Sequence, residues 1–196
     1  LTKMGSLCEE ALALAAKALA NADGQTAAKI APIDSEIDQM ERTIESLCLK
    51  LLLQQQPVAR DLRQISAALK MITDMERIGD QASDIAEIIG FLNGRIGTDA
   101  QYICQMAVAA MRMVTESVEA YVKRDVAMAE ATIQHDDVVD DLFLKVKESL
   151  IQMISANPKD GEYALDLLMI AKYFERIGDH ATNIAEWVVF SVTGVH

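Results

Sequence analysis

"ERIGDQASDIAE" occupies residues 76–87 and "ERIGDHATNIAE" occupies residues 175–186. Nine of the twelve positions are identical, at an offset of 99 residues in a chain of 196. On a helix turning about 100° per residue, with Glu76 at zero, Asp80 falls at about 40°, Asp84 at about 80° and Glu87 at about 20°. Four carboxylates then share one stripe. Ile78, Ala82 and Ile85 fall at about 180–240°, on the opposite face, and Gly79, Ser83 and Ala86 fill one flank with small side chains. The second copy repeats the pattern: Glu175, Asp179, Asn183 and Glu186 on the stripe, Ile177, Ala181 and Ile184 on the apolar face, Gly178, Thr182 and Ala185 on the flank.

Two features of the phrase oppose helix stability. Like charges at i and i+4 cost a few tenths of a kcal/mol each, so about 0.2–0.5 kcal/mol per pair. A mid-helix glycine costs about 1 kcal/mol against alanine. Gly79 and Gly178 stand at the same place in both copies, and close approach of a second helix is the usual reason for such a glycine.

A matching stripe lies upstream in each half. "DSEIDQME" places Asp34, Asp38 and Glu41 at i, i+4 and i+7, and "DDVVDD" places Asp136 and Asp140 at i and i+4. The chain reverses between these segments and the repeated phrases. Carboxylates on two antiparallel neighbours can therefore converge into an oxygen-rich site for a hard cation such as Mg, Ca, Mn or oxidised Fe. Zinc alone would favour His or Cys. The plainer reading is the wet side of an amphipathic helix, with Arg77 and Arg176 pairing acids across a bundle. Asn183 stands where the first copy has Asp84; an amide oxygen can still ligate. His180 reads as a polar surface residue, and neither it nor His135 is a strong ligand candidate. There is no Glu-x-x-His for a ferritin-like di-iron core, and no Gly-rich phosphate loop, GxSxG or HExxH. No nucleophile–base pair points to an enzyme.

Bulk composition agrees. Apolar residues make up 51% of the chain, enough for a sizeable core, and aromatics only 5%. Ala, Leu, Ile, Met and charged helix formers dominate, which favours helix over sheet. A net charge of −12 opposes a sequence-independent grip on nucleic acid and electrostatic docking to anionic lipid, and suits cations or basic protein surfaces. Cys8, Cys48 and Cys104 form no CxxC pair and read as reduced, buried small hydrophobes of an intracellular protein. Met106, Met111 and Met113 are at core spacing. No apolar run approaches a membrane span. No signal peptide is visible, though the first residue is Leu and an absent leader proves little.

Helical periodicity predicts six helices over about 1–21, 25–55, 59–91, 98–122, 125–155 and 160–191. Gly24 is the expected breaker after the first. Pro32 interrupts the second, either behind a short turn or as a kink. Pro57 ends it. The order, two helices and then a longer one bearing the phrase, occurs twice. The expected architecture is all-α: two tandem three-helix bundles related by internal duplication, at 1–93 and 97–196.

The paired phrases, with "QQQPVARDLRQI" at 54–65, "ALKMITDMERIGDQASDIAE" and "DDVVDDLF", resemble the PhoU family of bacterial and archaeal phosphate-uptake regulators over nearly the whole chain. "QQQPVARDLR" has no close second copy, since "ANPKDGEYAL" stands in its place. The resemblance implies a cytoplasmic accessory protein that restrains the phosphate-specific ABC transporter, through its ATPase subunit, and a phosphate-sensing histidine kinase. It implies membrane association only through such partners, and a homodimer, as family members often are. Some members carry multinuclear iron or zinc clusters on E/D-x-x-x-D motifs. Those motifs map onto Glu76, Asp80 and Asp84 and onto Glu175, Asp179 and Asn183, with Asp34, Asp38, Asp136 and Asp140 as partners. Pro32 departs from the uninterrupted middle helix usual in the family. The competing reading is a metal-dependent enzyme such as a phosphohydrolase using the same carboxylates; a third is a structural bundle whose acids only keep it soluble.

Overall fold

A computed structural model describes residues 1–95 and 100–196, and among them the regular structure is helical with no strand. The first half holds α1 (Thr2–Asn21), α2 (Gly24–Ala28), α3 (Ile30–Gln54) and α4 (Ala59–Phe91). The second holds α5 (Gln101–Lys123), α6 (Val126–Gln134), α7 (Asp136–Ala156) and α8 (Gly161–Thr193), with a 3-10 turn, Pro158–Asp160, ahead of α8. The expected start of a helix at 98 and of a repeat at 97 lie outside the described residues.

The first turn of each half is built alike. Ala22 takes a left-handed conformation with φ 47°. Its N–H donates to Leu19 at 3.3 Å, and that of Asp23 donates to Ala18 at 2.9 Å, the pairing that closes a helix C-terminus. In the second half Arg124 is left-handed, and Asp125 N–H donates to Ala120 at 2.9 Å. Gly24 is therefore not the breaker: it is the first residue of α2, and Ala22 adopts the left-handed turn instead. The Asp23 carboxylate then caps α2 by accepting from Gln25 and Thr26, and Asp125 caps α6 by accepting from Met128.

Both middle helices are broken. The first breaks at Lys29, so a short α2 precedes Pro32, which sits in the first turn of α3 where an amide donor has no partner to lose. The second was expected as one helix over 125–155 but breaks at His135, with no proline involved. The break places Asp136 and Asp137 in the first turn of α7, where the helix dipole favours carboxylates.

Beyond these breaks the two sets of helices stack on each other. α4 packs along α8, and α1 packs against α5. Small side chains of α4 and α8, including Ala82, Ala171, Ala181 and Ala185, share one buried cluster with Met71, Met75, Ile78, Phe174 and Ile177. A Cβ added at Gly5 would stand 2.8 Å from Val118 Cγ1, so α1 and α5 nearly touch there. The buried side chains form one continuous apolar cluster spanning both halves. Met106 and Met113 are in it, Met111 packs on it, and Cys8 and Cys48 are buried as expected. Burial pushes the Cys8 thiol up to about 12. The far end of α3 escapes the core: beyond Ile37 only Cys48 is buried, and Leu47, Leu49, Leu51 and Leu53 are exposed. Among the described residues, no helix is long and apolar enough to cross a membrane.

Candidate functional site

Each half brings its two acidic stripes together. In the first, one carboxylate oxygen each from Asp34 and Asp38 of α3 and Asp80 of α4 lie within 4.8 Å of one another. In the second, Asp136 and Asp140 of α7 and Asp179 of α8 do the same. The glycines explain the approach. A Cβ at Gly79 would stand 2.8 Å from Asp34 Oδ1 and 3.0 Å from Ile37 Cδ1. A Cβ at Gly178 would stand 3.2 Å from Asp136 Oδ1 and 3.5 Å from Val139 Cγ1. The missing side chain thus makes room for the neighbouring helix at the carboxylate itself.

Electrostatics mark both clusters as crowded. Burial, with the charges of Asp80 and Asp38, raises the Asp34 carboxyl to about 7. Burial and contact with Asp80 raise Glu76 to about 8. Burial and the charges of Asp140 and Asp179 raise Asp136 to about 6. Glu41, Asp84, Asp140 and Asp179 are raised in the same direction, each first by burial and then by neighbouring acids. Oδ1 of Asp34, of Asp38 and of Asp136 is buried and accepts no hydrogen bond from the protein. Converging carboxylates with such buried oxygens, two in the first cluster and one in the more exposed second, form a donor set that a hard cation would satisfy. The fit therefore holds on this chain's own geometry.

The two clusters are not equal. Lys172 Nζ donates to Glu175 Oε1 at 2.9 Å, placing a positive charge at the edge of the second. The corresponding position of the first half is Thr73. Asp84 is near enough to Arg176 for the guanidinium to offset part of its raised value. Asn183 Nδ2 donates to Asp74 Oδ1 at 3.2 Å. His180 is not a free surface residue, since its Nδ1 lies 2.9 Å from the same Asp74 oxygen and its side chain is only 16% exposed. His135 lies 3.1 Å from Glu116 Oε2.

Asp74 is the residue that sequence reasoning missed. It is one of the few buried polar groups, at 9% exposure, and it ties α4 to α8. A signal existed: counted back from Glu76, Asp74 falls at about 160°, on the apolar face of the wheel. A carboxylate there needs partners, and the second half supplies them.

Comparison with known proteins identifies the family. The family model for the PhoU domain matches residues 1–89 and 103–188. The chain is 36% identical over 196 residues to a phosphate-specific transport system accessory protein PhoU homolog of Clostridium acetobutylicum, covering 99% of this chain and 90% of that protein. It is 34% identical to the homolog so named in Pseudomonas aeruginosa, covering 99% of this chain and 81% of that one. The crystal structure of PhoU from Pseudomonas aeruginosa superposes with a TM-score of 0.95, at 34% identity, over 99% of this chain and 94% of the other. That of the phosphate transport system regulatory protein PhoU from Streptococcus pneumoniae gives 0.88, at 26% identity, over 98% and 91%. Two acidic clusters, one in each half of an all-helical fold, are therefore carried by a chain that belongs to the PhoU family.

Proposed function

We propose that this protein regulates phosphate uptake by binding other proteins, with cations held at its two carboxylate clusters. The observation that carries the metal part is the duplicated convergence of Asp34, Asp38 and Asp80, and of Asp136, Asp140 and Asp179, with buried oxygens lacking donors. Glu76 and Glu175 complete the two sets. The relatives are named as accessory proteins of the phosphate-specific transport system, which supports a transporter-linked role here. In this reading the chain acts in the cytoplasm, as a homodimer. It contacts the ATPase subunit of a phosphate ABC transporter and a phosphate-sensing histidine kinase, reaching the membrane only through them. It binds no nucleic acid and performs no catalysis itself.

The oxygen donors suit oxidised iron, manganese, magnesium or calcium, and a multinuclear iron or zinc cluster is the arrangement that family resemblance favours. A bound cation would supply positive charge to a surface that otherwise repels itself, and so hold α3 on α4 and α7 on α8. Elemental analysis of the purified chain, beside the double variant Asp80→Ala plus Asp179→Ala, tests this. Metal in the parent and none in the variant is the expected result; equal content in both defeats the metal reading. Co-purification with the transporter ATPase subunit at low and high phosphate tests the partner. No association under either condition defeats that part.

A further inference from the structure

α5 and α7 part near their N-terminal ends to leave a cleft of about 720 Å³, away from the faces that bear the carboxylates. Its walls are mostly apolar, with Cys104 and Val108 from α5 and Val138 and Leu142 from α7, and carry the amides of Gln101 and Gln105. Val108 and Val138 form its lips and are 57% and 50% exposed, a large apolar area left to water. Burial pushes the Cys104 thiol up, so that wall stays uncharged.

The charge of the lining is the telling feature. The chain has 30 acidic residues against 18 basic ones, yet among the described residues no Asp or Glu lines this cleft. Arg112 is the charged side chain of its lining, and His135 lies beside it. Arg112 is also held in place. Its Nε donates to Glu116 Oε1 at 2.6 Å, and the other oxygen of Glu116 lies 3.1 Å from His135 Nδ1. Fixing the guanidinium through Nε leaves its two Nη groups, with four N–H donors, for another acceptor.

The geometry points to this cleft as a binding site for one small anionic amphiphile, with an aromatic or acyl body between Val108 and Val138 and its carboxylate, sulfonate or phosphate head on Arg112. The volume suits such a molecule, since small-ligand sites run to about 300–1,000 Å³, mostly apolar with a few fixed polar groups. The site shares no residue with the carboxylate clusters, and the inference stands apart from the metal and transporter readings.

The test uses the full chain in EDTA and two probes with the same ring system. These are 8-anilinonaphthalene-1-sulfonate, which is anionic, and N-phenyl-1-naphthylamine, which is neutral. Fluorescence titration and calorimetry should give one sulfonate probe per chain, displaced by decanoate, and roughly tenfold weaker binding of the neutral probe. Arg112→Gln should remove that preference while the neutral probe still binds. Val108→Glu and, independently, Val138→Glu should abolish binding of both; each site is exposed, and circular dichroism checks that helicity is kept. Absence of saturable binding overturns the proposal. So does a stoichiometry well above one, binding unchanged by both lip variants, or an anion preference that survives Arg112→Gln. Binding of anionic-lipid vesicles with no binding of free decanoate also overturns it.

Discussion

Asp74 Oδ1 stands 2.9 Å from His180 Nδ1 and 3.2 Å from Asn183 Nδ2, so one carboxylate on α4 takes two donors from α8. Polar groups buried in an apolar interface contribute little net stability when satisfied and cost much when one partner is removed. Asp74→Ala strands both donors and should destabilise the chain by about 2 kcal/mol. Asp74→Asn keeps an acceptor and should lose less. Urea unfolding of the two variants, with a His180→Ala partner to close a double-mutant cycle, measures the coupling; a coupling near zero would show that the bridge carries no energy.

Gly79→Ala separates helix stability from site geometry. Alanine gains up to about 1 kcal/mol of helix propensity over glycine. Its Cβ, 2.8 Å from Asp34 Oδ1, must push that carboxylate aside. The expected outcome is a thermal midpoint close to the parent's with weakened Mn²⁺ binding at the first cluster. Gly90, also in α4, has nothing within 4 Å of an added Cβ, so Gly90→Ala should leave Mn²⁺ binding unchanged. Calorimetric titration of both variants decides it; equal affinities for Mn²⁺ would remove the steric argument.

The raised carboxyls fix the sign of the pH dependence. Asp34 at about 7, Glu76 at about 8 and Asp136 at about 6 all lie above their unfolded values, so the fold holds these protons more tightly than the unfolded chain does. Their contribution favours the folded state at low pH and turns against it as pH climbs from the ordinary carboxylate range through those values. In EDTA the thermal midpoint should therefore be higher at pH 5.5 than at pH 8.5, and Asp34→Asn plus Asp136→Asn should flatten the difference. Scanning calorimetry across that range is the measurement. Added Mn²⁺ should restore stability at pH 8.5 and release protons on binding.

The first cluster should bind cations more tightly than the second. Lys172 lies on Glu175 in the second half, whereas Thr73 occupies the matching place in the first. Asn183 also withholds a charge that Asp84 supplies. Mn²⁺ titration should resolve two affinities, with the tighter one lost in Asp80→Ala. Lys172→Gln should strengthen the weaker one; two affinities indifferent to Lys172→Gln would contradict this ranking.

The fold was legible in sequence because its determinants are periodic. The apolar stripe of Ile78, Ala82 and Ile85 and its repeat at Ile177, Ala181 and Ile184 specify helices with one buried face each, and the two glycines announce a close neighbour. The convergence of Asp34, Asp38 and Asp80, and of Asp136, Asp140 and Asp179, was legible for the same reason: i, i+4 carboxylates share a helix face, and the glycine in each phrase marks the side on which the neighbouring helix lies. What the sequence hid was local and relational. The left-handed turn at Ala22 is chosen by backbone hydrogen bonds to Leu19 and Ala18, not by the nearby glycine. The break at His135 carries no proline or glycine to mark it. The destinations of His180 and Asn183 depend on how α4 meets α8, a long-range fact that neither helix encodes alone.

The continuous apolar core has a historical consequence. A chain of half this length would leave its α4-like face in water, so a single-repeat version would need a second copy of itself to cover it. In such a symmetric pair every substitution appears at both related positions. Two halves joined in one polypeptide are free of that restriction. Position 74 is now aspartate and its counterpart 173 tyrosine, while 180 is histidine and its counterpart 81 glutamine. The Asp74–His180 tie is thus made on one side only, an asymmetry that two identical copies related by a twofold axis could not carry.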